Sequence, residues 1–154
     1  MEIIIRDGLR KRLEARFRRF MPMHKPSRGP GKLGEYTIHQ LEPIVMLMGT
    51  DIRRVMFTGT EKGPAYVCEF SDGRRASVSH NSFDCPFITS VGFNDGSFKK
   101  LIIESDFFNG FIHDLVCFFR TKEASVPHEE TVAIFAAQEA AKKAAAVPGC
   151  WIEV

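Results

Sequence analysis

Short segments with apolar residues, bounded by turn residues, recur in the middle of the chain, and such segments predict β-strands. The predicted strands span residues 52–58, 65–70, 75–80, 87–93 and 98–104. An Asp-Gly pair, Asp72-Gly73, separates the second segment from the third, and Asp95-Gly96 separates the fourth from the fifth. Such a pair supplies the positive φ values that a tight hairpin turn requires. Two successive hairpins predict a largely antiparallel sheet.

A helix is predicted before these strands, from Thr37 to Met48, and Gly49 ends it. Pro43 lies inside this helix and has no N–H to donate to the carbonyl of His39. The helix is therefore predicted to bend or to start again beside His39.

Two more helices are predicted near the end of the chain. The first has Ser105 or Asp106 as its cap and a wide apolar face over residues 107–120. Its phenylalanines are predicted to belong to the core rather than to a ligand cage, and they are Phe108, Phe111, Phe118 and Phe119. The second helix follows Pro127 and stops at Pro148-Gly149, after which residues 150–154 can add a last strand.

Strands followed by segregated helices are typical of an α+β fold, here an open-faced, largely antiparallel β-sheet with helices on one face. The other face is predicted to be uncovered and rich in Phe, Val and Ile. Because such a face would promote aggregation, we expect it to pack against a partner.

Composition is consistent with one sizeable core, since 44% of the 154 residues are hydrophobic and 14 are Phe. No apolar run approaches the roughly 18 residues of a membrane-spanning helix, and Ile3-Ile4-Ile5 is too short for a signal peptide. We expect a soluble, cytoplasmic protein. The four cysteines lack the close spacing of a disulfide framework or zinc cluster, which favours buried reduced thiols: Cys68, Cys85, Cys117 and Cys150.

Positive charge is concentrated in residues 1–32, which hold ten Lys or Arg against three acids, a net charge of +7. The remainder carries −5, because the whole chain carries +2. A helix is predicted at about residues 9–21, with an apolar side formed by Leu9, Leu13, Phe17 and Phe20. It could lie on phosphates or an anionic membrane, or it could dock on the body of the protein. A Pro/Gly-rich loop follows.

The loop ends in Gly29-Pro30-Gly31-Lys32-Leu33-Gly34, which matches the dinucleotide fingerprint G-x-G-x-x-G. That fingerprint must follow a buried strand and open a helix. Residues 24–28 cannot be an interior strand, and Pro30 restricts the turn. No nucleotide binding by this element alone is predicted.

The segment from Gly34 to Gly49 holds the most informative motif, with Glu35 four residues before His39 and Glu42 three residues after it. It resembles the glucose-fructose oxidoreductase and inositol dehydrogenase family (Gfo/Idh/MocA). Members of that family carry an acid, a His and a second acid at this spacing, then a helix that ends at Met-Gly or Leu-Gly. Residues 107–154 are similar to the closing helices and last strand of that family. The chain is accordingly divided into an arm, 1–32, and a domain similar to the family's C-terminal domain, 33–154.

The resemblance implies that His39 shares in moving a hydroxyl proton while hydride passes between a sugar or polyol and NAD(P). Imidazole suits that task because its pKa lies near neutrality. The resemblance further implies substrate binding by Glu35 and Tyr36, although the family has Asp where Glu35 stands. Glu42 is expected to do no more than support the helix. It also implies a homodimer through the open sheet face.

The family's nucleotide-binding unit and its catalytic lysine have no counterpart in this sequence. We therefore expect no cofactor to be bound by this chain alone, and NAD(P) to be held by a separate domain or chain. The sequence leaves three functions open: a substrate-binding and dimerisation domain of an oxidoreductase, a non-catalytic ligand- or protein-binding module, and nucleic-acid binding through the basic arm. No metal site is predicted, because the other histidines lack metal-binding spacing: His24, His80, His113 and His128.

Overall fold

The computed structural model of the protein describes residues 4–5, 37–60, 63–79, 88–93, 95–102 and 107–154. The elements in this part of the chain follow the predicted order. They are β1 (Ile4–Ile5), α1 (Ile38–Met48), β2 (Ile52–Phe57), β3 (Ala65–Phe70), β4 (Arg75–Ser79), β5 (Ile88–Phe93), β6 (Phe98–Ile102), α2 (Phe107–Thr121), α3 (His128–Ala146) and β7 (Trp151–Glu153). The arm helix, the glycine-rich segment, Glu35 and Tyr36 lie outside the described residues, so the predictions for them remain predictions.

Four of the strands form an antiparallel sheet in the order β4-β3-β2-β7. The hairpin between β3 and β4 turns at Gly73, whose φ is 84°. The Phe70 N–H donates to the Arg74 carbonyl at 2.9 Å, and the Gly73 N–H donates to the Phe70 carbonyl at 2.9 Å. The first predicted hairpin is confirmed, since Asp72-Gly73 provides the turn.

Three more strands form a second hydrogen-bonded set in the order β1-β5-β6. The β5–β6 pair is the second predicted hairpin, and it turns at Gly96 with φ 79°. β1 pairs parallel to β5, with Ile4 opposite Gly92. The sequence did not indicate this last pairing, because a two-residue strand is too short to show any period.

The core lies between the four-stranded sheet and two helices, α1 and α3. α1 contributes large aliphatic residues such as Leu41 and Leu47, whereas α3 contributes a stripe of alanines. That stripe consists of Ala137, Ala140, Ala141 and Ala144. Small side chains allow the helix backbone to lie close to the strands beneath it. The predicted α+β class, with helices on one face of an open antiparallel sheet, is confirmed.

α2 departs from the prediction, because the phenylalanines expected in the core are exposed: Phe108, Phe111, Phe118 and Phe119. The core cluster takes its helical residues from α1 and α3, and no described residue of α2 belongs to it. Hydrophobic periodicity shows that a helix has a face to bury, but it does not show which surface receives that face.

The cysteines divide in a way that the sequence did not predict. Cys68 is buried on β3, but Cys117 and Cys150 are exposed, so the expectation of buried thiols is wrong for those two. All three are free thiols, and Cys85 lies outside the described residues. Among the described helices, none is both long and apolar enough to cross a membrane.

Candidate functional site

His39 lies in the first turn of α1, at the edge of the core. The carbonyl of Thr37 accepts hydrogen bonds from the N–H groups of Gln40 (3.1 Å) and Leu41 (3.0 Å), and these bonds start the helix. Leu41 is fully buried, whereas His39 is half-buried. The apolar residues of the helix thus pack into the core, and the imidazole remains partly accessible to solutes.

Glu42 is the acidic partner of this histidine. Its Oε2 lies 3.3 Å from Nδ1 of His39, and the two side chains are 29% and 22% exposed. A hydrogen bond from Nδ1–H to the carboxylate favours the tautomer in which Nε2 is the basic nitrogen. Sequence reasoning gave Glu42 only a supporting role in the helix. The spacing of three residues was the signal, since residues i and i+3 lie side by side on a helix.

Pro43 follows Glu42 and is buried inside α1, as predicted. A proline at this position cannot donate to the His39 carbonyl. The bend predicted at this point remains a prediction.

A buried tyrosine lies under the N-terminal end of α1. Burial raises the pKa of Tyr66 on β3 to about 12, and the Thr37 side chain lowers it in part. This contact is looser than a standard hydrogen bond, because the phenol oxygen has no partner of standard geometry among the described residues. The Tyr66 ring also meets Phe57 edge to face, with centroids 5.3 Å apart. Tyr66 therefore supports the turn that carries His39 and remains a neutral phenol at physiological pH.

A second group of polar residues lies on the outer face of the four-stranded sheet. Nε of Arg54 donates to Oε1 of Glu69 at 2.7 Å, and Nε of Arg75 donates to Oε2 at 2.7 Å. The hydrogen bond from Arg75 is the largest cause of a lowered pKa for the Glu69 carboxyl, which burial opposes and Arg54 reinforces. The guanidinium carbons of Arg54 and Arg75 lie 4.5 and 5.5 Å from the centroid of the Trp151 ring.

This arrangement corrects the prediction of an outer sheet face rich in Phe, Val and Ile. Side chains alternate across a strand, so the inward positions of β2 and β3 take Val55, Phe57 and Phe70 into the core. The outward positions leave a charged and aromatic cluster, formed by Arg54, Glu69, Arg75 and Trp151. Met56 and Val67 lie half-buried beside this cluster.

The described part of the chain holds no group of three or more His, Cys, Asp or Glu side chains that could bind a metal ion. It also contains no strand–glycine turn–helix unit in which a dinucleotide could be placed.

No known protein family matches the sequence, and no curated protein matches it. A solved structure does match in fold, a probable dehydrogenase from Thermotoga maritima, with a TM-score of 0.53 at 13% sequence identity. The chain shares the fold of this dehydrogenase. The likeness covers 99% of the chain and 54% of the Thermotoga chain, so the protein spans about half the length of its structural relative. A dehydrogenase-like fold agrees with the resemblance to the Gfo/Idh/MocA family.

Proposed function

We propose that this chain is the substrate-binding and dimerisation domain of an NAD(P)-dependent oxidoreductase that acts on a sugar or polyol. The observation that carries the proposal is the half-buried His39–Glu42 pair at the N-terminal end of α1, in a dehydrogenase-like fold. A cytoplasmic location is part of the proposal.

The pair is suited to bind and deprotonate a substrate hydroxyl. With Nδ1–H directed at Glu42, Nε2 of His39 is the nitrogen that can accept the proton. The Glu42 carboxylate stabilises the imidazolium that results, and it keeps the ring in one orientation. Glu35 and Tyr36 precede this turn in the sequence and are proposed to contact the other hydroxyl groups.

Hydride transfer needs a nicotinamide, which we propose to be held by a separate nucleotide-binding domain or chain. NAD(P) supplies the hydride chemistry when it is bound there. NADH or NADPH added to this chain alone is expected to leave the nicotinamide fluorescence unchanged.

The test of the proposal follows the imidazole signals of His39 by NMR while hexoses and cyclic polyols are added at millimolar concentration. One or more of these solutes is expected to shift the His39 signals in a saturable way and to leave those of His113, an exposed residue on α2, in place. His39→Gln is expected to weaken binding by about threefold to tenfold, because one hydrogen bond is lost.

The matched control is His113→Gln, which removes an imidazole from a helix remote in sequence from α1 and should leave the affinity unchanged. The proposal fails if no sugar or polyol shifts the His39 signals, or if both variants weaken binding equally. A third outcome is saturable binding without substrate oxidation, even after a nucleotide-binding partner is added. That outcome would favour the non-catalytic binding module.

The proposed homodimer forms through the outer face of the four-stranded sheet. Trp and Arg are the residues most often found at the energetic centre of an interface, and Met is enriched there as well. This face carries one residue of each type: Trp151, Arg54 and Met56. Val67 lies on β3, an inner strand of the sheet, and is only half-buried.

Val67→Lys is expected to raise the dissociation constant of this dimer by about tenfold or more, since a buried ammonium would need a partner. Analytical ultracentrifugation over a range of concentrations measures the change. Val132→Lys is the matched control, because Val132 is an exposed valine on α3, away from the sheet face. Equal masses for the wild type and Val67→Lys at every concentration would contradict a dimer through this face.

A further inference from the structure

α2 presents a continuous apolar surface to solvent. Seven of its large apolar side chains are between 38% and 62% exposed. They are Phe108, Phe111, Ile112, Leu115, Val116, Phe118 and Phe119. No other described element packs extensively against this helix. A surface of this size on one element is characteristic of an interaction site.

The spacing of these side chains is that of a helix–helix contact. Phe108, Phe111, Leu115 and Phe118 follow one another at intervals of three, four and three residues, which places them in one seam along the helix. Ile112 and Phe119 lie beside this seam. Polar side chains occupy the opposite side, as His113 and Asp114 show. The apolar side therefore matches the surface of another helix.

The exposed area is sufficient for a specific contact. With a full side-chain area of about 200 Å² for an aromatic residue, the seven residues expose on the order of 600 Å² per copy. A stable protein interface buries about 600–1,000 Å² on each partner, so the seven side chains reach the lower end of this range. The net charge of +2 is too small to keep such surfaces apart.

Charge along the helix favours a second copy of the same chain. Arg120 and Lys122 lie at the C-terminal end of α2, and the sequence places Glu104 and Asp106 just before its N-terminal end. Two copies that run antiparallel bring the acidic end of one helix to the basic end of the other. We propose that α2 pairs antiparallel with α2 of a second copy, through the seam of Phe108, Phe111, Leu115 and Phe118.

The first test uses the double variant Phe111→Glu/Leu115→Glu and sedimentation equilibrium. Both positions are exposed, so the fold is expected to persist, which circular dichroism checks. The variant is expected to raise the dissociation constant of this contact by roughly 100-fold, as for two central interface residues. Phe135→Glu is the matched control, because Phe135 is an exposed phenylalanine on α3 and should leave the mass unchanged.

A charge-reversal series tests the orientation and the identity of the partner. Arg120→Glu/Lys122→Glu is expected to weaken the contact, and the further changes Glu104→Lys/Asp106→Lys in the same chain are expected to restore it. A fourfold reversal that stays as weak as the double reversal overturns the antiparallel arrangement. Equal masses for the wild type and Phe111→Glu/Leu115→Glu overturn the pairing itself. Val67→Lys separates this contact from the sheet-face dimer, because it should leave the α2 contact intact.

Discussion

Replacing Gly59 by alanine is expected to destabilise the protein by about 3–5 kcal/mol, which places it among the largest effects of a single substitution. Gly59 lies in the turn between β2 and β3, where its N–H and that of Thr58 both donate to the Ala65 carbonyl, at 3.3 and 2.8 Å. A Cβ on Gly59 would collide with the Ala65 nitrogen and the Gly63 carbonyl oxygen, and would lie 2.8 Å from the Pro64 carbonyl carbon. These are backbone atoms, so no side-chain rotation relieves the clash.

The turn also matters for the candidate site, because it sets the register of β2 against β3. Phe57 lies opposite Tyr66 in that register, and Arg54 lies opposite Glu69. A shift in the turn would disturb the support beneath α1 and the cluster on the outer face together. Gly59→Ala is therefore expected to reduce substrate binding as well as stability.

Urea denaturation measures the loss of unfolding free energy. Gly63→Ala is the matched control, because it lies in the same turn and its added Cβ would come no closer than 3.8 Å to the Thr60 hydroxyl. We expect it to change the unfolding free energy by no more than about 1 kcal/mol. Equal losses for the two variants would mean that the turn is less tightly packed than the structure shows.

Stability is expected to fall steeply in alkaline solution, with Cys68 as the main cause. Burial raises the pKa of the Cys68 thiol from 9.0 to about 12. Between these values the unfolded chain loses the thiol proton while the folded chain keeps it. The contribution is thus fully present below pH 9 and is lost as the pH rises towards 12. Its total is about 4 kcal/mol, at 1.36 kcal/mol per pKa unit.

Cys68→Ala should make the fall in unfolding free energy shallower between pH 9 and pH 10, where the slope from the thiol approaches about 1.4 kcal/mol per pH unit. That window separates Cys68 from Tyr66, whose pKa is raised from 10.0 to about 12 and which contributes only at higher pH. The comparison uses the slopes of unfolding free energy against pH and not its absolute values, because Cys68→Ala also leaves a small cavity that lowers stability. Cys117→Ala, at an exposed thiol, should keep the wild-type slope. Parallel curves for all three proteins would show that the Cys68 thiol ionises in the folded state.

Much of the fold was predictable from the sequence because short-range residue preferences determine turns and helix ends. Asp72-Gly73 and Asp95-Gly96 predict their hairpins, because a tight turn needs a residue that accepts positive φ. Gly49 and Pro148-Gly149 end helices for equally local reasons. Gly59 was not recognised, because its φ is ordinary and the constraint is a close approach of backbone that only the folded turn creates.

The candidate site was predictable only in part. The sequence motif drew attention to His39, but it gave Glu42 no more than support of the helix. A distance of three residues makes contact feasible on a helix, yet the rotamers that bring Oε2 to Nδ1 depend on packing around α1.

The sequence by itself determined the α+β class, the order of the elements and the position of His39, because turns, periodicity and motif spacing act over a few residues. Only the tertiary structure decided which apolar faces are buried. α3 packs its alanines into the core, whereas the phenylalanines of α2 remain exposed. Burial depends on which surfaces meet and not on hydrophobicity alone. Likewise, Arg54 and Trp151 are distant along the chain from the Glu69–Arg75 hairpin, and strand pairing brings them together.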